Sequence, residues 1–597
     1  TIYSSPHTAV RASAWLNANA FEGSLILKEH WEEGLPDLWT YERRELPMYN
    51  PDGPQKLQIV ASELAEAEYL TFYSSRLFGT IPRLPDDYPI PYAMTKAYYP
   101  LLFNGDLGYE LVRVGQQYPS FLGVSFVNDV FGRPGLEPPP PMQRKNHGGI
   151  RIDMGFADES FSVYDHPQVL IFRNTGRLSE GRLRTLLGVA QLPELGYDLM
   201  LAPEDERESQ QAGGTISDIT PSDGLGSRFP LPVWLLAMYL GTIATLPISL
   251  MVFRALPDRG YLLARSLGLL MLAYIPWMLA SLKWMSFGRG SISLGFLLLF
   301  AISGWLTYRY RDELWDFVRR RWRLLLGQEA LFLGAFIIFT LIRAANPDLW
   351  HPFRGGEKPM DFAYLNAVVR STYMPPFDPW FAGGSLNYYY FGQFMMATVI
   401  KATGIPTAIA YNLAVPMVFA LVVGAAFSLG YNIAEGARRA VRSARNIPVW
   451  SPVVAGLAAM LFMMVFSNLD GGVQVLQGAA GNFDFWSPTR MMPPDPPGFE
   501  ITEFPFFTFL FADLHAHMLA MPLGLLAIGL SLNTVLLSRK GERMGWFFAS
   551  LGLLALTVGG LWATNAWDFP TYLGIGGVSL LLGQYLRERR VDLSTLY

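Results

Sequence analysis

The chain has 597 residues, 51% of them hydrophobic and 16% charged, with a formal charge of -4 at pH 7. One core does not serve that length, and a mean hydropathy of +0.22 points to a membrane protein with a substantial soluble part. The small negative charge speaks against a nucleic-acid partner, whose phosphates call for a clustered basic face, and the absence of cysteine excludes disulfides and thiolate chemistry.

Residues 1–178 have the mixed pattern of a soluble α/β domain. The opening carries neither Met nor a signal-peptide pattern and reads as the interior of something longer, with Thr1 not the biological start. Helical periodicity covers Thr8–Asn19 and ends near Gly23, and Ser24–Leu27 is a strand candidate. SFSVYDHPQVLIFRN (160–174) predicts two apolar strands around an Asp165-His166-Pro167 turn. The proline run 138–141 is expected to be extended and exposed. His30 and the Asp165-His166 pair fall at turn and surface positions, and residues 179–229 read as a helix and a linker.

From Pro232 the character changes to long apolar stretches. Nine spans are expected: 232–253, 261–282, 292–309, 328–345, 406–432, 449–467, 514–538, 545–563 and 570–587. The first three form an accessory group over 230–327, and the rest a module over 328–597. Alternate connections are basic, which places them inside. Arg254, Arg259 and Arg265 surround the first, Arg309, Arg311, Arg319, Arg320, Arg321 and Arg323 the third, and Arg438, Arg439, Arg442 and Arg445 the fifth. Arg539, Lys540 and Arg543 follow at the seventh, and Arg587, Arg589 and Arg590 in the tail. The parity requires that Tyr388–Thr403 not cross. It is shorter than the ~20 residues a spanning helix needs, so it is expected to lie along the outer interface behind its tyrosines. Residues 1–229 and the loops 346–405 and 468–513 then share the non-cytoplasmic side. The spans lack midplane charges and corresponding Gly-broken pairs, which speaks against a transporter.

Two polar clusters stand in these loops. In HPFRGGEKPMDFAY (351–364), Glu357 and Asp361 share a helix face if Pro359 opens that helix, and Arg354 and Lys358 flank them. Such a set suits a carboxylate acting while cations hold a phosphate; an ordered loop closed by ion pairs has the same composition. The second cluster is Asp513-Leu514-His515-Ala516-His517, which holds two of the 7 histidines. On a helix Asp513 and His517 share a face; in an extended turn all three side chains of Asp513, His515 and His517 do. Carboxylate plus imidazole suits Zn²⁺ or Mn²⁺, and a helix start capped by Asp513 accounts for the same residues. Asp568, between two spans, reads as a loop cap or bridge.

The stretch GGEKPMDFAYLNAVVRSTYMPPFDPWFAGGSLNYYYFGQ, with TEFPFFTFLFADLHAHM and NAWDFPTY, resembles a largely uncharacterised bacterial and archaeal membrane family named for its Tyr-Tyr-Tyr motif, here Tyr388-Tyr389-Tyr390. The resemblance covers about 230–597. Its layout is similar to that of the C-type glycosyltransferases, multi-spanning enzymes that use polyprenyl-phosphate-linked sugars. RASAWLNANAFEGSLILKEHWEEGLP, GYELV and SFSVYDHPQVLIFRN are similar to the extracytoplasmic domain of protein-mannosyltransferase-like enzymes, an order that implies further modules of a tandem protein.

The resemblance implies an enzyme of the cytoplasmic membrane, with its soluble domain on the outer face, that passes a sugar from a polyprenyl phosphate to a protein or glycan acceptor. Asp361, with Glu357 as alternative, would be the general base. Arg354 and Lys358 would neutralise the phosphate, and Tyr388, Tyr389, Tyr390 and Asp568 would line the substrate site. Asp513, His515 and His517 would hold a divalent cation (Mg, Mn or Zn); no nucleotide or redox cofactor is implied. General-base geometry asks Glu357 or Asp361 to come within on the order of 10 Å of Asp513. The alternative is a non-catalytic subunit that binds a lipid-linked glycan or scaffolds a cell-envelope complex.

Overall fold

The computed structural model describes residues 2, 5–85, 88, 90–143, 150–157, 159–188, 203–350, 356–381, 383–442, 451–478, 484, 486–490, 503–540 and 544–588. They form two compact units, one from the first 200 residues and one from the remainder.

The first unit is α/β. Its elements are α1 (Thr8–Asn19), β1 (Leu25–Glu29), β2 (Glu42–Leu46), α2 (Pro54–Glu66), β3 (Tyr69–Phe72), α3 (Ala93–Asn104) and β4 (Tyr109–Gly115). After these come β5 (Ser120–Phe121), β6 (Val124–Asp129), α4 (Pro140–Gln143), β7 (Ile150–Phe156), α5 (Glu159–Ser162), β8 (Val169–Asn174) and α6 (Glu180–Leu187). A five-stranded sheet has the order β2-β1-β3-β8-β4, with β2, β1 and β3 parallel and β8 antiparallel to both neighbours. Period-two alternation sends Leu25, Leu27, Leu70, Phe72, Leu170 and Phe172 into one core, and Ile26, Tyr69, Val169 and Ile171 into the other. A sheet buried on both faces reads as continuous apolar runs.

The helix at Thr8–Asn19 lies where its periodicity put it. Residues 160–174 differ from expectation. Only β8 is a strand; the segment before the turn is the end of α5, since a short apolar run has the same periodicity in helix and strand. His166 is buried, not at the surface. The proline run is not wholly extended or exposed either: Pro139 is buried and Pro140 opens α4, as a proline can in a first turn. The segment 179–229 contributes α6, packed on α2, and then α7 (Glu204–Gln211), α8 (Ile216–Ile219) and α9 (Leu225–Arg228).

The second unit is helical. Seven of its helices are long and apolar enough to cross a membrane: α10 (Pro230–Val252), α11 (Leu263–Ser281), α12 (Arg289–Arg309), α13 (Arg311–Ala345), α16 (Thr407–Arg442), α20 (Ala516–Lys540) and α21 (Met544–Thr564). Between them stand α14 (Lys358–Arg370), α15 (Phe391–Thr403), α17 (Pro452–Met464), α18 (Asp470–Leu476) and α19 (Pro505–Phe511); α22 (Phe569–Glu588) closes the described chain. Among the described residues, seven of the nine expected spans therefore have the length and composition of a membrane-crossing helix. α17 has 13 residues and rises about 20 Å; residues 449–450, at the start of its expected span, lie outside the described residues. α22 has 20 residues but is diluted by Thr571, Tyr572, Gly574, Gly576, Gly577 and Gln584; it packs along α20.

α15 has 13 residues and is not among the helices long and apolar enough to cross a membrane. It does not lie on the surface, however. Every residue from Phe391 to Lys401 is buried, and helices α10, α11, α12, α14, α16, α20 and α21 surround it. Lys401 Nζ donates to Phe287 O at 2.6 Å and Ser371 O at 2.9 Å. The apolar runs of α12 and α13 leave Leu297, Leu298, Ile337, Ile338 and Leu341 exposed, a face suited to lipid. One charge pair within the spans went unread in the sequence: Arg265 on α11 binds Glu329 on α13, which Tyr239 and Tyr261 also contact.

Candidate active site

The site is assembled where α14 begins and where the chain passes from α19 to α20. Glu357 is the residue before α14, Pro359 stands in its first turn, and the Asp361 amide donates to Glu357 O at 2.9 Å. The expected one-turn spacing of Glu357 and Asp361 is thus real. On the other side α19 ends at Ala512, which adopts a left-handed φ of 63°. Residues 513–515 are non-helical, and His515 O, not Asp513, accepts the first helical bond of α20, from Leu519 N at 3.1 Å. Leu514 pins this link: its N–H donates to Tyr411 Oη at 2.7 Å and its carbonyl accepts from Gln393 Nε2 at 2.6 Å.

These two segments touch. The Glu357 amide donates to Asp513 Oδ2 at 3.0 Å, and Lys358 Nζ lies 3.3 Å from Asp513 Oδ1, also facing the Phe511 ring at 4.1 Å. His515 Nδ1 is 3.1 Å from Asp361 Oδ1 and 3.1 Å from Glu357 Oε2, and His515 Nε2 is 3.1 Å from Tyr388 Oη. His517 Nε2 lies 3.0 Å from Glu503 Oε2 and 3.3 Å from Thr508 Oγ1. Glu357, Glu503, Thr508, Asp513, His515 and His517, with Phe507 and Phe511, line a cleft of ≈ 190 Å³. That is below the roughly 300 Å³ of a drug-sized pocket, so the cleft suits a small polar group.

Gly356 makes the approach possible. Its φ is 59°, and a Cβ there would lie 2.3 Å from Phe511 Cε1 and 2.7 Å from Asp513 Oδ2. Gly356→Ala is expected to destabilise the fold by on the order of 2 kcal/mol, from left-handed strain plus overpacking. Thermal unfolding of the solubilised full chain measures this; an unfolding temperature equal to wild type would contradict the turn.

Burial dominates the electrostatics. It pushes Asp513 up to about 6, against the opposing pull of the Lys358 charge and the Glu357 amide. Lys358 is drawn below its ordinary value by the same burial, against Asp513. Asp361 is raised by burial more than its bond to His515 lowers it. For His515 burial acts downward, but the hydrogen bond and charge of Asp361, with Glu357 and Asp513 behind them, leave the ring above its ordinary value. Lys358→Met should raise the Asp513 titration above about 6, because it removes the charge that opposes burial. The protonated-carboxyl infrared band of labelled aspartate reports this; a variant titrating at or below the wild-type pH would contradict the pairing.

The geometry redistributes the expected roles. Asp361 is 1% exposed, its Oδ2 has no hydrogen-bond partner, and it does not line the cleft. It addresses His515 and cannot meet a substrate hydroxyl directly. Glu357, whose side chain is 57% exposed, does line the cleft. Lys358, with a side chain 9% exposed, is engaged with Asp513 and is not among the residues that line the cleft. Arg354 lies outside the described residues.

Asp513, His515 and His517 all line the one cleft, but each is engaged by a separate partner: Lys358, Asp361 with Glu357, and Glu503. Among the described residues no three His, Asp or Glu side chains are disposed to hold a metal ion, and the ammonium beside Asp513 occupies the cation's role there. Of the tyrosines, Tyr388 joins the site, with its ring tilted against Tyr364 and Tyr389 at 5.3 and 5.1 Å between ring centroids. Tyr390 instead meets Trp277 Nε1 at 3.4 Å within the helices. Asp568 accepts from Asn565 Nδ2 at 3.1 Å as a loop bridge. Glu503 and Thr508 were missed. Their only signal was position, within one helix-opening run, TEFPFFT, that leads to the Asp-His cluster.

No curated protein and no solved structure matches the chain. The model of a family described as "Uncharacterized membrane protein (DUF2298)" matches residues 271–596. The match begins within α11, later than the expected start near 230, and takes in all three quoted motifs. It covers more than half of the sequence, and the chain therefore belongs to the uncharacterized membrane protein family DUF2298.

Proposed function

We propose that the protein is an integral-membrane glycosyltransferase of the C type, which moves a sugar from a polyprenyl phosphate to the hydroxyl of a protein or glycan. The observation that supports this reading best is the meeting of two loops, distant in sequence, at one polar cleft at the ends of the spans, with Glu357 from one and His515 from the other 3.1 Å apart. The arginine-rich connections gather at the opposite end of α13 (below), so the positive-inside rule turns the cleft to the non-cytoplasmic side of the cytoplasmic membrane.

In this mechanism the Glu357 carboxylate takes the acceptor proton as the oxygen attacks the sugar C1. The C1–O bond to phosphate breaks, and its electron pair leaves with the polyprenyl phosphate. The rings of His515 and His517 line the cleft where that charge develops. Asp361 is a positioning residue that orients the His515 ring, and Tyr388 holds the other ring nitrogen. Asp513 and Lys358 brace the Glu357 turn. No step is routed through a metal ion, since the donor set above does not fit one.

The test is release of polyprenyl phosphate from a labelled polyprenyl-phosphate sugar by the purified full chain in lipid. Turnover that depends on an acceptor supports the transferase. Tight donor binding without turnover supports the alternative of a lipid-glycan-binding subunit.

A further inference from the structure

We propose that the end of the spans opposite the candidate active site binds the phosphate of an anionic phospholipid, in a cleft between the α10–α11 connection, α13 and α16. The cleft encloses ≈ 370 Å³. Arg254, Arg259, Arg320, Arg321 and Arg439 line it, against the carboxylates Glu313 and Asp316. It lies near the first turns of α13, while the candidate active site follows that helix's other end; from Phe317 to Ala345 the helix rises about 40 Å, more than the hydrocarbon thickness.

The cleft is held by a buried frame. Asp258, fully buried, accepts from Gln328 Nε2 at 2.9 Å, Ser428 Oγ at 2.7 Å, Asn432 Nδ2 at 2.7 Å and the Gly260 amide at 2.9 Å. These bonds tie the Asp258-Arg259-Gly260 turn to α13 and α16. Arg259 holds a left-handed φ of 52° in that turn, an arrangement that a non-glycine residue keeps only when its surroundings enforce it.

Among the described residues the lining holds five arginines against two carboxylates. Arg254 and Arg259 both reach Glu313 Oε1, at 3.0 and 2.8 Å. Arg259 Nη1 is shut off from water and has no hydrogen-bond acceptor. Glu435, beside the cleft, serves Arg321, Arg438 and Arg439 together, at 4.0, 3.8 and 3.0 Å. Guanidinium forks match phosphate oxygens in pairs. Ala255, Leu256, Pro257 and Phe317 form an apolar wall, and Trp315 and Trp322 stand exposed on the same stretch of α13. Exposed tryptophans at a span end mark headgroup depth, where a lipid phosphate is met with its glycerol beside it and basic pockets take anionic lipid. A soluble phosphate would have no use for the apolar wall.

Lipid adducts on the purified full chain, counted by native mass spectrometry, test this. Phosphatidylglycerol should be retained over phosphatidylcholine. Arg259→Gln with Arg321→Gln should weaken it by roughly twenty-five-fold, about five-fold per charge, while Arg311→Gln, on an exposed arginine outside the cleft, should not. Arg320→Glu reverses one exposed charge without disturbing the buried frame and should give a similar loss, which guards against misfolding of the double variant. Equal retention of the two lipids, unchanged binding in both cleft variants, or displacement of phosphatidylglycerol by inorganic phosphate at matched concentration would each overturn the proposal.

Discussion

Glu357→Gln should lower sugar transfer by roughly a hundred- to ten-thousand-fold, the range a positioned general base supplies. The amide keeps the side chain's volume, and the backbone N–H that reaches Asp513 at 3.0 Å is untouched. Because the Glu357 side chain is 57% exposed, the fold should shift by no more than about 0.5 kcal/mol. Donor binding should change little, since Glu357 meets the acceptor and not the phosphate. Acceptor-dependent release of polyprenyl phosphate is the measurement. A wild-type rate in this variant would remove Glu357 from the chemistry and leave the cleft a binding site.

Asp361→Asn is the second large effect, and it acts through His515. The Asp361 hydrogen bond and charge are what lift the ring above its ordinary value against burial. Without the charge, the His515 titration should fall, and transfer by on the order of a hundred-fold or more, as when a buried carboxylate that orients a histidine is amidated. Both groups have raised folded values. Each therefore favours the fold at acid pH and loses that contribution as pH rises through its folded value: for Asp361 the window opens near 4, for His515 near 6.5. The variant removes the Asp361 share. Histidine ring resonances in labelled protein follow the titration. A His515 titration unmoved by the substitution would contradict the pairing.

Much of this was legible in the residues. Seven of the expected spans stand out because a lipid-facing helix must be apolar over its whole length, and no tertiary context overrides that. The basic connections identified one end, and Arg254, Arg259, Arg321 and Arg439 do line one cleft. Pro359 with Glu357 and Asp361 gave a local helix start that depends on nothing distant.

What failed depends on contacts across the sequence. Lys358 appears as a ready phosphate ligand beside Glu357, yet its partner is Asp513, 155 positions on. Asp361 appears equivalent to Glu357, but packing buries one carboxylate and exposes the other. α15 appears interfacial because it is short and follows tyrosines; its burial comes from seven neighbouring helices that no periodicity encodes. Glu503 stands in a quoted motif without a chemical signature of its own, and only the fold of α19 brings it to His517.

The central claim is that this one cleft receives a lipid-linked sugar phosphate. The most direct measurement is a structure of the full chain in lipid with a non-transferable polyprenyl-phosphate sugar bound. The predicted pose has its phosphate within hydrogen-bond reach of His517, beside the His515 ring, with the sugar C1 turned towards Glu357. A donor seated away from these residues, with Glu357 and His515 still facing each other across an empty cleft, would contradict it.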